Sequence, residues 1–157
     1  MVNDFDYTQA FAMELVALKP SDLTERDFSQ LERLVLDHCG VAVGGGARPW
    51  ISALHRWAEQ YRGTGSARIM GSAITASAEV AAFVNGAAGH SFELDDTHDA
   101  SMSHPGAVVI PTALAVASET GARGGEVMTA ISAGYEVMAR LGIAARAERM
   151  IGAGYHP

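Results

Sequence analysis

The stretch Ser77–His90, which reads SAEVAAFVNGAAGH, decides the fold. Half of its residues are alanine or glycine, and none is proline. Alanine is the best helix former, and small side chains allow the axes of neighbouring helices to approach closely. The composition therefore predicts a helix that is buried on several sides, at the centre of a bundle of helices.

Upstream of this stretch, the spacing of apolar residues predicts three helices. The first covers Phe5–Leu18 and ends at a lysine–proline pair. The second begins after Thr24, which forms a capping box with Asp27, and it ends in a run of three glycines at 44–46. The third has Pro49 in its first turn, where the missing N–H of proline has no helical partner to lose.

Downstream of the same stretch, Ala107–Thr120 and Glu126–Ala147 are predicted as two further helices. No alternation of polar and apolar residues is long enough to predict a strand, and the sequence contains no internal repeat. We therefore expect an all-α fold, a helical bundle with short loops in which residues 1–157 form a single helical domain.

Composition and charge restrict the class of protein. Hydrophobic residues make up 48% of the 157 residues and charged residues 18%, which excludes a disordered chain. The formal net charge is −7 and the arginines form no basic stripe, so nucleic acid is not an expected partner. The apolar run Ala107–Ala117 is too short to span a bilayer, and the first residues do not resemble a signal peptide. We expect a cytoplasmic protein without a membrane partner.

Several simple sites are disfavoured by the sequence. The single cysteine, Cys39, cannot form an intramolecular disulfide, and its apolar neighbours predict an inert thiol. The glycine-rich segments at 44–46 and 63–65 lack the strand–loop–helix context of a phosphate loop, so no nucleotide is expected. Trp50 and Trp57 are expected to fill the core or an interface, and His38 and His55 are expected to be packing or surface residues.

A polar segment between the two central helices carries the candidate chemistry. It contains acids, a threonine and histidines in a chain otherwise rich in alanine and valine: Glu93, Asp95, Asp96, Thr97, His98, Asp99 and His104. If the segment were helical, Glu93 would share a face with Asp96 or Thr97. His104 and Pro105 stand just before a helix N-terminus, where backbone amides and the helix dipole favour an anion.

Three interpretations of this segment are open from the residues alone. The first is a solvated loop. The second is a metal site built from Asp96, His98, Asp99 and His104, although the spacing fits neither a calcium-binding loop nor the H-E-x-x-H zinc motif. The third is acid–base catalysis, in which a histidine moves a proton while carboxylate and hydroxyl groups orient the substrate.

Several blocks of the sequence resemble the MmgE/PrpD family in the order in which that family has them. They are Leu36–Ala42, Ser77–His90, the ELDDTH block at 93–98, His104-Pro105, Gly134-Tyr135-Glu136, Arg140-Leu141-Gly142 and Gly154-Tyr155-His156-Pro157. The resemblance covers nearly the whole chain. It implies that the chain is part of the family's large helical domain, which is followed in relatives by a smaller α/β domain, and that the protein forms a homodimer.

The resemblance also implies an activity. Family members are lyases and isomerases that act on small polycarboxylates without a metal or other cofactor. A 2-methylcitrate dehydratase-like activity is the first expectation. The alternatives are iminodisuccinate epimerase, cis-aconitate decarboxylase, or a non-catalytic helical domain that mainly self-associates.

The same resemblance assigns roles to particular residues. It implies that His104 and His156 transfer protons and that Glu93, Asp96 and Thr97 bind the substrate. In relatives the first acid of that block is often aspartate, so Glu93 extends the carboxylate by one methylene. Lysines that hold substrate carboxylates come from later regions in relatives. His90 is expected to cap its helix and His98 to support the site without contacting substrate.

Overall fold

The computed structural model describes residues 6–155, and His156 therefore lies outside the described residues. The described chain folds into seven α-helices with short connections, which confirms the all-α fold class. The helices are α1 Tyr7–Ala17, α2 Glu25–Gly45, α3 Pro49–Ala58, α4 Ala78–Gly89, α5 Pro105–Thr120, α6 Gly124–Ala145 and α7 Ala147–Gly152.

Short elements connect these helices. Single 3-10 turns lie at Pro20–Asp22, Glu59–Tyr61 and Asp99–Ser101. A hairpin of two-residue strands, β1 (Ala67–Arg68) and β2 (Thr75–Ala76), pairs antiparallel between α3 and α4. The sequence analysis predicted no strand, because two residues are too few to show an alternating pattern.

The helix ends follow from local chemistry, as the second helix shows. The Thr24 Oγ1 accepts a hydrogen bond from the Asp27 N–H at 3.2 Å, and the Asp27 carboxylate accepts one from the Thr24 N–H at 2.8 Å. This is the predicted capping box, and such a cap stabilises a helix by about 1 kcal/mol. Pro49 occupies the first turn of α3 as predicted. Pro105 occupies the same position in α5, so that helix begins two residues before the predicted start at Ala107.

Helix α4 lies at the centre of the fold, in contact with α2, α3 and α5. More than half of its residues are buried, as the small-residue composition predicted: Ala78, Val80, Ala81, Val84, Asn85, Ala88 and Gly89. A Cβ atom on Gly86 would lie 2.5 Å from the carbonyl oxygen of Ala107 in α5, and one on Gly45 of α2 would collide with the carbonyl oxygen of Ala88. These glycines allow the backbones of neighbouring helices to touch.

Three apolar clusters form the core of the described residues, and the two with the most members join several elements. One joins α3, the hairpin and α4 around Ile69 and Ile74. The other joins α2, α5 and α6 around Leu31, Ile110 and Ile131. Trp57 packs against the first cluster, as expected of a core residue, whereas Trp50 is largely exposed.

The buried Asn85 side chain fixes the hairpin to α4. Its Oδ1 accepts a hydrogen bond from the Met70 N–H at 2.8 Å, and its Nδ2 donates to the Arg68 carbonyl at 2.9 Å. A buried amide without partners would cost free energy, and here both ends of the amide are satisfied. The hairpin therefore has a defined position on the central helix.

The substitution Gly86→Ala tests the close approach of α4 and α5. The new Cβ meets backbone rather than a movable side chain, so the helices must separate, and we expect a loss of about 1–3 kcal/mol in the free energy of unfolding. Urea unfolding followed by circular dichroism measures it. Gly40→Ala is the control, since a Cβ added at this exposed helical position would have no atom within 4 Å and should stabilise the chain by up to about 1 kcal/mol. Equal effects of the two substitutions would contradict the packing argument.

Candidate active site

The candidate chemistry lies in the connection of residues 91–104, between α4 and α5. This connection is not helical apart from the 3-10 turn Asp99–Ser101. Glu93 has a φ of 52°, in the left-handed region that non-glycine residues seldom adopt. The segment is therefore not the helix in which Glu93 would share a face with Asp96 or Thr97. The aspartates of this connection bond to groups on neighbouring elements instead of to a regular helix.

The second half of the connection is a closed turn. The backbones of His98 and Ser103 form an antiparallel bridge, with the His98 N–H donating to the Ser103 carbonyl at 2.9 Å. Between them, the buried Ser101 hydroxyl lies 2.7 Å from both the His98 Nδ1 and the Ser103 Oγ. A Cβ on Gly142 of α6 would lie 2.5 Å from the Cβ of Ser101, so α6 packs directly on the turn. His98 thus contacts Ser101 and supports the turn.

Asp96 joins three parts of the fold. One carboxylate oxygen accepts a hydrogen bond from the Gly106 N–H at 2.8 Å, in the first turn of α5. The other accepts one from the Tyr135 hydroxyl of α6 at 2.7 Å. Burial, together with the bond to Asp96, raises the pKa of Tyr135 above its ordinary value, so this hydroxyl remains a donor. The anion at the N-terminus of α5 is therefore the chain's own carboxylate, and substrate binding by Asp96 stays a prediction.

Asp95 faces two histidines. Its side chain is only 2% exposed, and both of its oxygens lie 3.1 Å from the Nδ1 of His90. The Nδ1 of His104 is 3.5 Å from the nearer Asp95 oxygen, too long for a good hydrogen bond, and this buried nitrogen has no other hydrogen-bond partner. The two imidazole rings lie edge to face with centroids 4.7 Å apart. A buried carboxylate thus lies between two imidazoles.

Both imidazoles line an open cavity of about 550 Å³ between α4, α5 and α6. The other lining residues are apolar or carry small polar groups: Ala82, Phe83, Gly86, Ala87, Met102, Ser103, Ala107, Val108, Thr112 and Met138. Among these lining residues there is no lysine, arginine, aspartate or glutamate. The two histidines are therefore the only ionisable side chains among these lining residues.

The structure brings together only some of the predicted site residues. His104 lines the cavity, whereas Glu93 and Thr97 are exposed and, like Asp96, are not among its lining residues. The predicted proton-transfer residue His156 lies outside the described residues. His90 is at the C-terminal cap of α4, as predicted, but its contact with Asp95 was missed. The only sequence signal was a histidine at a helix end five residues before an acid.

A third histidine, which is buried, lies behind α4. His38 of α2 is 1% exposed, its ring packs against Gly89, and neither of its nitrogens has a hydrogen-bond partner. Burial lowers the pKa of His38 from its ordinary value, partly opposed by the charges of Asp95, Asp96 and Asp37. Its role is packing, as the sequence analysis expected. Burial likewise raises the pKa of the Cys39 thiol, which disfavours the reactive thiolate.

Tyr135→Phe tests the tether at Asp96. Removing the hydroxyl leaves one oxygen of a half-buried carboxylate without its donor, and we expect a loss of about 1.5–3 kcal/mol in the free energy of unfolding. Urea unfolding measures the loss. The control is Tyr61→Phe, which keeps the ring that packs on Trp57 and should change stability little. A Tyr135→Phe variant as stable as the parent chain would mean that Asp96 is not held in this way.

The buried His38 predicts a pH dependence of stability. The pKa of His38 is lower in the folded chain than its ordinary value of about 6.5. The buried neutral ring therefore contributes its full stability above pH 6.5, and this contribution is lost as the pH falls toward the folded pKa. As the pH falls through that window, the free energy of unfolding of the parent chain should decrease by up to about 1.4 kcal/mol per pH unit more than that of His38→Gln. Urea unfolding across the window measures the difference. Titration of the His38 ring by NMR at or above its ordinary pKa would contradict the prediction.

Comparison with known proteins identifies the family of the chain. Residues 9–156 match the sequence model of the MmgE/PrpD N-terminal domain. The human cis-aconitate decarboxylase is 34% identical over 140 residues, which cover 85% of this chain and 29% of that protein. The mouse cis-aconitate decarboxylase is 31% identical over 156 residues, which cover 96% of this chain and 32% of that protein. The cis-aconitate decarboxylase-like protein oryM of Aspergillus oryzae is 27% identical over 147 residues, which cover 88% of this chain and 30% of that protein.

The chain therefore belongs to the MmgE/PrpD family, and it corresponds to that family's N-terminal domain. It spans about 30% of the length of the curated relatives it matches. Two of those relatives are named as cis-aconitate decarboxylases, which are lyases, and the third is named as a protein like them. Within residues 6–155, no helix combines the length and the apolar character that crossing a membrane requires.

Proposed function

We propose that this chain forms the helical part of a lyase that decarboxylates cis-aconitate or a closely similar polycarboxylate. The observation that carries the proposal is His104, which lines the cavity with its Nδ1 turned toward the buried carboxylate of Asp95. The sequence analysis placed dehydration of 2-methylcitrate first. The similarity to three proteins named for cis-aconitate decarboxylation favours decarboxylation instead.

Asp95 is the positioning residue for His104 in this proposal. A carboxylate beside Nδ1 favours the tautomer that carries its hydrogen there, which leaves Nε2, across the ring, to exchange a proton with substrate. The side chain of Asp95 is almost fully buried, so its charge is weakly screened by water. His104 itself is 28% exposed, which leaves its ring accessible from the cavity.

The reaction needs one proton to be delivered. When a carboxylate leaves as CO₂, the electron pair of the broken carbon–carbon bond stays on the substrate, where conjugation with a neighbouring carboxylate spreads the charge. The protonated His104 then donates its Nε2 hydrogen to carbon and is reprotonated from water. Proton transfer by a positioned side chain contributes roughly 10²–10⁴-fold to the rate.

The substrate's own charges must be neutralised by groups other than the described cavity lining, which holds no lysine or arginine. The first turn of α5 is a weak candidate, because its Gly106 N–H already binds Asp96. The proposal thus includes cationic residues from elsewhere in the active enzyme. Lysines of later regions and a homodimeric partner, both implied by the family resemblance, are the groups we propose.

The experiment follows cis-aconitate by proton NMR in D₂O, with the 157-residue chain and with the full-length product of its reading frame. We expect the full-length protein to form a five-carbon dicarboxylate with deuterium at the protonated carbon. His104→Ala should lower kcat by at least about 10²-fold, and Asp95→Asn should lower kcat more than it changes KM. The control is Asp99→Asn, which changes an exposed carboxylate of the same connection that does not line the cavity and should leave kcat nearly unchanged.

Parallel incubations with 2-methylcitrate and iminodisuccinate decide between the family's reactions. Turnover of either in preference to cis-aconitate would overturn the proposed substrate. Full turnover by His104→Ala would overturn the proposed proton donor. Absence of all three conversions in a folded full-length protein would favour the non-catalytic helical domain.

A further inference from the structure

We propose that a divalent transition-metal ion of the Zn²⁺ type binds between His90, Asp95 and His104 and inhibits this site. The ion is a ligand of the folded chain rather than a cofactor of the reaction. The binding itself depends only on the geometry of these three side chains, whereas the inhibition rests on the proposed function.

The three side chains have the spacing that a metal requires. Their ligand atoms all lie within 4.8 Å of one another. A tetrahedral zinc site, with bonds of about 2.0–2.2 Å to nitrogen and oxygen, places its ligand atoms roughly 3.3–3.5 Å apart. The distances from Asp95 to the two Nδ1 atoms are 3.1 and 3.5 Å. The largest separation, up to 4.8 Å, exceeds the tetrahedral spacing, so the ligand side chains must move closer together for all three to bind one ion.

The donor set favours a particular class of ion. Two imidazoles and one carboxylate suit Zn²⁺, Co²⁺ and Ni²⁺, whereas Mg²⁺ and Ca²⁺ prefer oxygen ligands. Asp95 supplies a buried negative charge, and the Nδ1 of His104 is a buried nitrogen without a hydrogen bond. A metal would satisfy that nitrogen.

The surrounding structure places the ligands on fixed elements. His90 is the C-terminal cap of α4 and His104 is the residue before α5, while Asp95 adjoins the tethered Asp96. An ion here would connect the end of one central helix to the start of the next. Ligands that bind only the folded state raise its stability, so the metal should also stabilise the chain.

Binding and proton transfer compete for the same atoms. An ion on the Nδ1 of His104 takes the place of its hydrogen, and Asp95 then bonds to the metal instead of orienting the imidazole. His104 can no longer be positioned as the proton donor, so the ion should inhibit reversibly, and a chelator should restore activity.

The experiment uses Co²⁺ as the probe and the 157-residue chain as it stands. Co²⁺ should give visible absorption bands at one equivalent that Zn²⁺ displaces, while Mg²⁺ does not. In ¹⁵N NMR of the imidazoles, Zn²⁺ should shift the Nδ1 signals of His90 and His104 and leave those of His98 unchanged. This measurement needs no substitution, so it does not depend on the folding of a variant.

Substitutions then test each ligand. We expect His90→Ala, Asp95→Asn and His104→Ala each to weaken Zn²⁺ binding, measured by competition with Co²⁺, by at least about tenfold. The matched control, His98→Asn in the same connection, should bind as the parent does. Shifts confined to other histidines, or equal loss in the control, would overturn the metal site. If Zn²⁺ binds at this site and an active full-length enzyme is not inhibited, the inhibitory role is overturned. If the full-length protein is inactive and still binds Zn²⁺, only the proposed function is overturned.

Discussion

The close contact of α4 with the helices around it is the constraint on which the rest of the structure depends. Gly86 lets α4 touch the backbone of α5, Gly45 lets α2 touch α4, and Gly89 makes room for the ring of His38. Larger side chains at these positions would separate the helices. Because His90 ends α4 and His104 precedes α5, the spacing of these helices also sets the distance between the two imidazoles. Packing at alanine and glycine thus determines the geometry of the polar site.

Two consecutive aspartates divide the work at that site. Both oxygens of Asp96 accept hydrogen bonds, one from the first turn of α5 and one from Tyr135. Its negative charge therefore interacts favourably with the dipole of α5 and joins this helix to α6. Asp95 faces the other way, toward His90 and His104. The two adjacent carboxylates serve different sides of an irregular connection, with Glu93 in a left-handed conformation shortly before them. In a helix, consecutive side chains would point about 100° apart.

The sequence predicted those features that depend on local chemistry. The capping box at Thr24 and the buried small-residue helix are examples, because the residues that cause them are neighbours in the chain. The hairpin was missed, since it is held by Asn85 at long range rather than by a strand pattern. His104 was identified through the family resemblance. The contacts of Asp95 with two histidines were not predicted. They depend on where the connection of residues 91–104 turns, and tertiary contacts such as that of Ser101 with Gly142 determine this.

The unpaired Nδ1 of His104 is the point at which stability and function diverge. A buried nitrogen without a hydrogen bond is unfavourable for folding, and a small shift of Asp95 toward it would remove the cost. Asp95 instead lies nearer to His90, with both oxygens at 3.1 Å. Under the proposed function and the proposed metal site, the Nδ1 of His104 therefore has no fixed partner, and it can share a hydrogen with Asp95 or bind a metal ion. A fully satisfied imidazole would be more stable, but it would have less capacity to change its bonding during a reaction.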